Sequence, residues 1–334
     1  PCAPMLPAPA PSPDSTPSDA PLAPVLVDLI GQALEAAASP NTRRAYRADW
    51  ACFTSWTAER DRCAMPATAQ TVAAYLVQLD AEGKASSTLR RRLATISKAH
   101  GSQAPDAPNP ATSQLVKTVL RGLGRLRGQG HGTPAAPVLP KHVRAMVKAS
   151  PGDDLRACRD RALVLWLLAS GMRRSEVSAL TVADLDWTDP RGVVALVRRS
   201  KTDPTGEGRE LSVHLGRREL TCPVRALRTW LDTAKIKEGP VFRGVDRHGH
   251  LGTRPVTGAG IAHAVKALAE KAGLDPVQVS PHGFRAGHVS ARRAAGDDLA
   301  AVMDTTGHAS VAMVQRYDRL SRRFRWDATA SLGL

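Results

Sequence analysis

Six residues in the second half of the chain have the types needed to cut a phosphodiester: Arg173, Lys201, His282, Arg285, His308 and Tyr317. A phosphodiester repels nucleophiles with its own negative charge, and its transition state gathers charge on the non-bridging oxygens. Guanidinium groups answer both difficulties, because their fork matches two oxygens at once. Arg173 and Arg285 suit that task, and His282, one helical turn before Arg285 in His-Gly-Phe-Arg, can share the same phosphate. Lys201 sits in a polar turn between two strands, a fitting place for a cation that protonates a departing hydroxyl. His308 follows Gly307 at the expected start of a helix, where it can donate to the phosphate or take a proton from the tyrosine. Tyr317 is then the nucleophile, its ordinary pKa of ~10 offset by neighbouring cations. The chain has only three tyrosines. Tyr46 belongs to an apolar helical stripe with Trp50 and Phe53, and Tyr75 lies in the apolar run TVAAYLVQL, so packing accounts for both. Taken singly, each arginine or lysine has an ordinary explanation as a surface charge; the argument rests on the set. His282, His288 and His308 also raise a metal site, but no carboxylate stands at ligand spacing such as His-Glu-x-x-His, so neither metal nor other cofactor is expected.

These residues need a scaffold, and the apolar spacing outlines one that is mainly α-helical with a small antiparallel β-sheet. Residues 1–24 are rich in Pro, Ala and Ser, lack Lys and Arg, and read as disordered. Residues 25–127 read as a helical bundle. Ser39-Pro40 opens one helix as cap and first residue. Others carry Val72, Tyr75, Leu76 and Leu79, then Leu89, Leu93 and Ile96, then Leu115, Val119, Leu120 and Leu123. Two of these helices present arginine clusters, Arg43, Arg44 and Arg47 on one and Arg90, Arg91 and Arg92 on the other, candidates for contacts with DNA phosphates. The Gly/Pro-rich stretch 128–140 reads as a linker. In residues 141–334 helices are expected over 141–148, 159–169, 223–233, 258–273, 285–295, 298–305 and 310–322. A short one opens at Ser175-Glu176, and strands at 193–198 and 210–215 flank the polar turn holding Lys201.

Composition points the same way. Lys and Arg number 46 against 31 Asp and Glu, a net charge of +15 that favours a polyanionic partner, nucleic acid first. The excess is +4 over residues 1–127 and +11 over the remainder, where the candidate catalytic residues lie. Five scattered cysteines form neither a zinc pattern nor a disulfide framework, which suits a reducing compartment. No secretory signal is evident, and the longest apolar run is too short to span a bilayer. A cytoplasmic, nucleoid-associated protein with no membrane partner is therefore expected. The chain begins at Pro1, so its natural start is expected to lie upstream.

In order and spacing, SGMRRSEVSAL, RSKTD, HGFRAGHVSA and TGHASVAMVQRY resemble the motifs of the tyrosine recombinases of the phage integrase family. SPNTRRAYRADWACFTSW and SSTLRRRLATISKAH resemble that family's SAM-like core-binding domain. Single motifs are weak; the ordered set ending in a histidine nine residues before a tyrosine is specific. The resemblance implies site-specific recombination of double-stranded DNA, for integration, excision or dimer resolution. The two domains would close round the duplex, and Tyr317 would form a 3′-phosphotyrosyl bond and free a 5′-hydroxyl without metal or ATP. It further implies a homotetramer on two DNA sites, with accessory directionality factors as further partners, and a tail over 321–334 that packs on a neighbouring protomer or folds back in cis. Three positions depart from the common pattern: Arg174 and His288 replace apolar neighbours, and Thr306 stands where Leu is frequent before Gly-His. A topoisomerase-like enzyme of the same chemistry, or a non-catalytic DNA-binding protein, remains the alternative at this point.

Overall fold

The structure is a computed structural model that describes residues 39–126, 136–200, 203, 206–308 and 310–315. The chain divides into two compact units at Gly132/Thr133.

In the first unit, helix α1 (Pro40–Ala58) starts as its sequence predicts: Ser39 Oγ accepts the Thr42 N–H, and Pro40 takes a position where a missing N–H costs nothing. Helices α2 (Ala69–Ala81), α3 (Ser86–Gln103) and α4 (Gln114–Leu126) follow. Their apolar faces enclose Phe53, Val72, Tyr75, Leu76, Leu79, Leu89, Ile96 and Val116. On α4 the buried residue is Val116, whereas Leu115 is 44% exposed. The stripe therefore starts one residue later than expected, at Val116, and continues through the expected Val119, Leu120 and Leu123. The bundle also buries one carboxylate. Asp49 on α1 receives a two-pronged contact from Arg91 on α3, Nε at 2.7 Å and Nη2 at 2.9 Å. Arg92 Nε stands 3.5 Å from the same carboxylate, and its Nη1 donates to the Tyr75 hydroxyl at 2.6 Å.

The second unit is also mainly helical. Helices α5 (Pro140–Lys148), α6 (Leu155–Ser170) and α7 (Arg174–Ala179) lead into a sheet of β1 (Leu185–Asp186), β2 (Gly192–Val197) and β3 (Arg209–His214). The sheet is antiparallel, with β2 and β3 in register from Gly192–His214 to Val197–Arg209. Helix α8 (Pro223–Thr233), a hairpin of β4 (Arg243–Val245) and β5 (Leu251–Pro255), and helices α9 (Gly258–Lys271), α10 (Pro281–Ala294) and α11 (Leu299–Thr306) complete it. A further helical turn covers 311–315. Helix α6 is apolar on most of its circumference because it lies inside: Leu163, Trp166 and Leu167 are fully buried.

Three differences from the sequence reading matter. The β4–β5 hairpin is a second sheet, and β1 a third strand on the first; both lacked the alternating polarity that reveals a strand, since β5 is exposed along most of its length. Helix α10 begins at Pro281, capped by Ser280 Oγ, so His282 lies within its first turn. The end of the expected linker belongs to the second unit's core. Val138 is 2% exposed, and its N–H donates to Gly283 O at 2.8 Å. Gly283 and Gly287 admit that segment: a Cβ at Gly287 would lie 1.9 Å from Val138 O. The expected disordered tail, the start of the bundle before Ser39 and the C-terminal tail lie outside the described residues.

Candidate active site

Arg173 stands where α6 gives way to α7. Gly171 ends α6 in the left-handed conformation (φ 61°), Met172 is buried, and Arg173 becomes the residue preceding α7. The first turn of α7 supplies its partner. Glu176 accepts the Arg173 backbone N–H at 2.8 Å and its Nη1 at 2.7 Å. Arg173 also donates to Ser200 Oγ at 2.6 Å and to Gly307 O at 3.2 Å.

Glu176 is the hub. Its carboxylate is buried and further receives the Ser200 hydroxyl at 2.9 Å and Arg209 Nη2 at 3.1 Å. Burial alone would raise its pKa, but the hydrogen bonds from Arg173 and the charges of Arg209 and Arg173 hold it below the ordinary carboxylate value. Arg209, first residue of β3, also donates through Nη1 to Thr305 O at the end of α11. Burial, opposed by Glu176, lowers the pKa of this guanidinium. Gly307 makes the approach feasible: it has φ 62°, and a Cβ there would meet Arg209 Nε at 2.9 Å.

Arg285, on the inner face of α10, is 2% exposed. Its Nη1 donates to Gly171 O at 2.8 Å, and its Nη2 lies 3.3 Å from His308 Nε2. His308 is buried, with Nδ1 2.5 Å from Thr306 Oγ1. It occupies the loop after Gly307, the C-cap of α11, rather than the start of a helix as expected. Burial foremost, then Arg285, Arg173, His282 and Arg209, hold its pKa at about 3. His282 is exposed at the edge of α10, its pKa lowered by partial desolvation, then by Arg285 and Arg173. His288 is buried behind them. Its Nδ1 donates to Leu168 O at 2.8 Å, Nε2 has no partner among the described residues, and burial above all brings its pKa to about 4.

The structure thus brings Arg285 and His308 into direct contact and ties Arg173 to Gly307, the residue before His308, with His282 beside them. Lys201 and Tyr317 lie outside the described residues. Their neighbours in sequence are fixed: Ser200 is bonded to Arg173, and Val314 is fully buried against Val289 and Val302. The sequence reading missed Glu176, Arg209 and Ser200 as parts of this cluster. Glu176 carried a signal, an acid three residues after an arginine at a helix start; Arg209 carried none. In the first unit, Arg90 and Arg47 are exposed and Arg44 bonds to Asn41, while Arg91 and Arg92 are engaged with Asp49.

Two guanidiniums on one buried carboxylate, with Arg285 and the histidines beside them, form a seat for an anion with several oxygens, the requirement of phosphoryl transfer. A mainly helical unit carrying this seat suits an enzyme that acts on a phosphodiester. The chain belongs to the phage integrase family, which it matches over residues 138–323, with the family's N-terminal SAM-like domain matched over residues 32–100. These are tyrosine recombinases, enzymes that break and rejoin DNA site-specifically. An integrase/recombinase xerD homolog of Selenomonas ruminantium is 30% identical over 296 residues, 88% of this chain and 86% of that protein. The tyrosine recombinase XerC of Chromobacterium violaceum is 30% identical over 84% of this chain and 85% of its own length. Among solved structures, a lambda integrase fragment bound as a dimer to a core site shares the fold, with TM-score 0.59, 15% identity, and coverage of 91% of this chain and 97% of that one. So does the Tn1549 transposon integrase in complex with transposon right-end DNA, with TM-score 0.58, 17% identity, and coverage of 84% and 89%.

Proposed function

We propose that Arg173, Lys201, His282, Arg285, His308 and Tyr317 are the catalytic set of this recombinase and act on duplex DNA. The observation that carries this reading is the cluster in which buried Glu176 holds Arg173 and Arg285 touches His308, with positive charge in excess. Arg173 and Arg285 hold the non-bridging oxygens of the scissile phosphate. The Tyr317 hydroxyl loses its proton and its oxygen bonds to phosphorus, while the bond from phosphorus to the 5′-oxygen breaks. That oxygen takes a proton from Lys201. The phosphotyrosyl link conserves the bond energy, and a 5′-hydroxyl from a partner duplex reverses the step.

The bundle within 25–127 supports DNA binding, with Arg43, Arg44, Arg47 and Arg90 as phosphate contacts. Arg91 and Arg92 approach DNA only insofar as Asp49 leaves them available. Residues 141–334 form the catalytic domain, joined through 128–140, whose last residues pack into it. Strand exchange between two sites calls for four protomers, and directionality factors would choose between forward and reverse reactions.

A nicked suicide duplex tests the assignment, because loss of a short 5′-fragment traps the covalent intermediate. The native chain should form a protein–DNA adduct, and Tyr317→Phe should form none while still binding the duplex. An adduct persisting in Tyr317→Phe would reject Tyr317 as nucleophile.

A further inference from the structure

The turn that carries His308 is held from outside its own helix. Helix α11 ends at Thr306, and the carbonyls of its last turn find no donor further along the helix. Met303 O accepts the N–H groups of Gly307 and His308. Thr305 O instead accepts Arg209 Nη1, from the first residue of β3, 96 positions earlier. A cation there also meets the negative end of the helix dipole. Arg209 Nη2 donates to Glu176 Oε2 at 3.1 Å, the same oxygen that accepts the Arg173 backbone N–H. The Arg209 side chain is 17% exposed, and its Nε, which lies against Gly307, has no partner among the described residues. Pairing with Glu176 alone would not call for arginine, since lysine neutralises a carboxylate too. Two separate acceptors, a carboxylate and a helix-end carbonyl, call for the rigid fork of a guanidinium.

We propose that Arg209 is a positioning residue: it ties the end of α11 to Glu176 and thereby fixes the turn from Thr305 to His308 relative to Arg173. It touches no reacting atom. This rests on the function proposed above, in which Arg173 and His308 belong to one catalytic set. Arg173 also holds this turn, through Nη2 and Gly307 O at 3.2 Å, but a bound phosphate competes for that donor. Arg209 keeps Thr305 O in place while Arg173 turns to the phosphate, so that His308 stays where the DNA-free enzyme puts it. The Thr305 side chain is anchored separately, by Arg292 Nη1 at 2.8 Å, which leaves its carbonyl to Arg209.

Arg209→Lys keeps a cation beside Glu176 but cannot bond the carboxylate and Thr305 O together, and Arg209→Met removes both contacts at similar length. Urea unfolding of each full-length variant establishes that it is folded. On the suicide duplex, Arg209→Lys should lose about ten- to a hundredfold in cleavage rate, the scale of a displacement of about 1 Å, with DNA half-saturation unchanged. Arg209→Met should lose at least as much. An ion pair that served only the fold would lower the urea midpoint and leave the rate of the folded enzyme native. The deciding measurement is a cycle with His308→Asn: if Arg209 acts through the His308 turn, adding Arg209→Lys to His308→Asn should cost less than about twofold further. Losses that multiply, native cleavage by Arg209→Lys, or an unfolded chain in both Arg209 variants overturns the proposal. Failure of the native protein to form a Tyr317 adduct would instead reject the catalytic assignment. Hydrogen exchange at the Gly307 and His308 amides would then still decide whether Arg209 holds the turn: it should be faster in Arg209→Lys than in the native chain, and an equal rate overturns the proposal.

Discussion

Each unit contains a buried carboxylate shared by two arginines, and the two differ in what surrounds them. In the bundle, Asp49 binds Arg91 and Arg92, yet the Arg91 side chain is 49% exposed and water carries much of its charge. In the catalytic unit, the Arg173 and Arg209 side chains that share Glu176 are each only 17% exposed, and Arg285 and His308 are packed beside them. Cations withheld from water around one carboxylate create a standing demand for an anion; the same pairing at a solvated helix face only ties two helices together. The histidines repeat the contrast. His100 in the bundle has both ring nitrogens bonded, to Ile96 O and Ala67 N–H, whereas His288 has Nδ1 bonded and Nε2 without a partner among the described residues.

The largest effect expected from this contrast is at Glu176. Glu176→Gln leaves Arg173 and Arg209 facing each other without a counter-charge and should cost about 3–5 kcal/mol, read as a lower urea midpoint at unchanged slope. Next is the response to acid. His288 is held neutral in the folded state down to about pH 4, while the unfolded chain takes up its proton near pH 6.5. This contribution is complete above pH 6.5 and is lost as the pH falls towards 4, on the order of 3 kcal/mol in all. His288→Asn, able to keep the bond to Leu168 O, should flatten this part of the stability–pH curve; an unchanged curve would exclude His288 as its source. The smallest effect is at Asp49, where Asp49→Asn should cost about 1–3 kcal/mol, because solvent reaches Arg91 once the carboxylate is gone. A loss at Asp49 equal to that at Glu176 would break the contrast between the two pairs.

Much of this was legible in the sequence because it is local. Ser39-Pro40, Asp298 and Gly171 mark helix ends by rules that involve only a few neighbouring residues, and the apolar stripes place Phe53, Tyr75 and Ile96 inside. What escaped was non-local or short. Arg209 reaches Glu176 across 33 positions, a distance at which no periodicity applies. Strand β1 has two residues and β5 begins Leu-Gly-Thr, too little pattern for a strand to declare itself. Val138 was hidden because Gly and Pro upstream mimic a linker; the sign of its burial lay far away, in the spacing of Gly283 and Gly287.

The seating of Val138 on α10 bears on how this protein can change over evolutionary time. A connection between two folding units is ordinarily where insertions and deletions accumulate at little cost. Here Ala136 and Val138 lack that latitude, because Ala136 O and Val138 lie in the notch left by Gly283 and Gly287 on the helix that bears His282 and Arg285. From this point on, a change in length would shift the register of the segment on which the Arg285 helix rests.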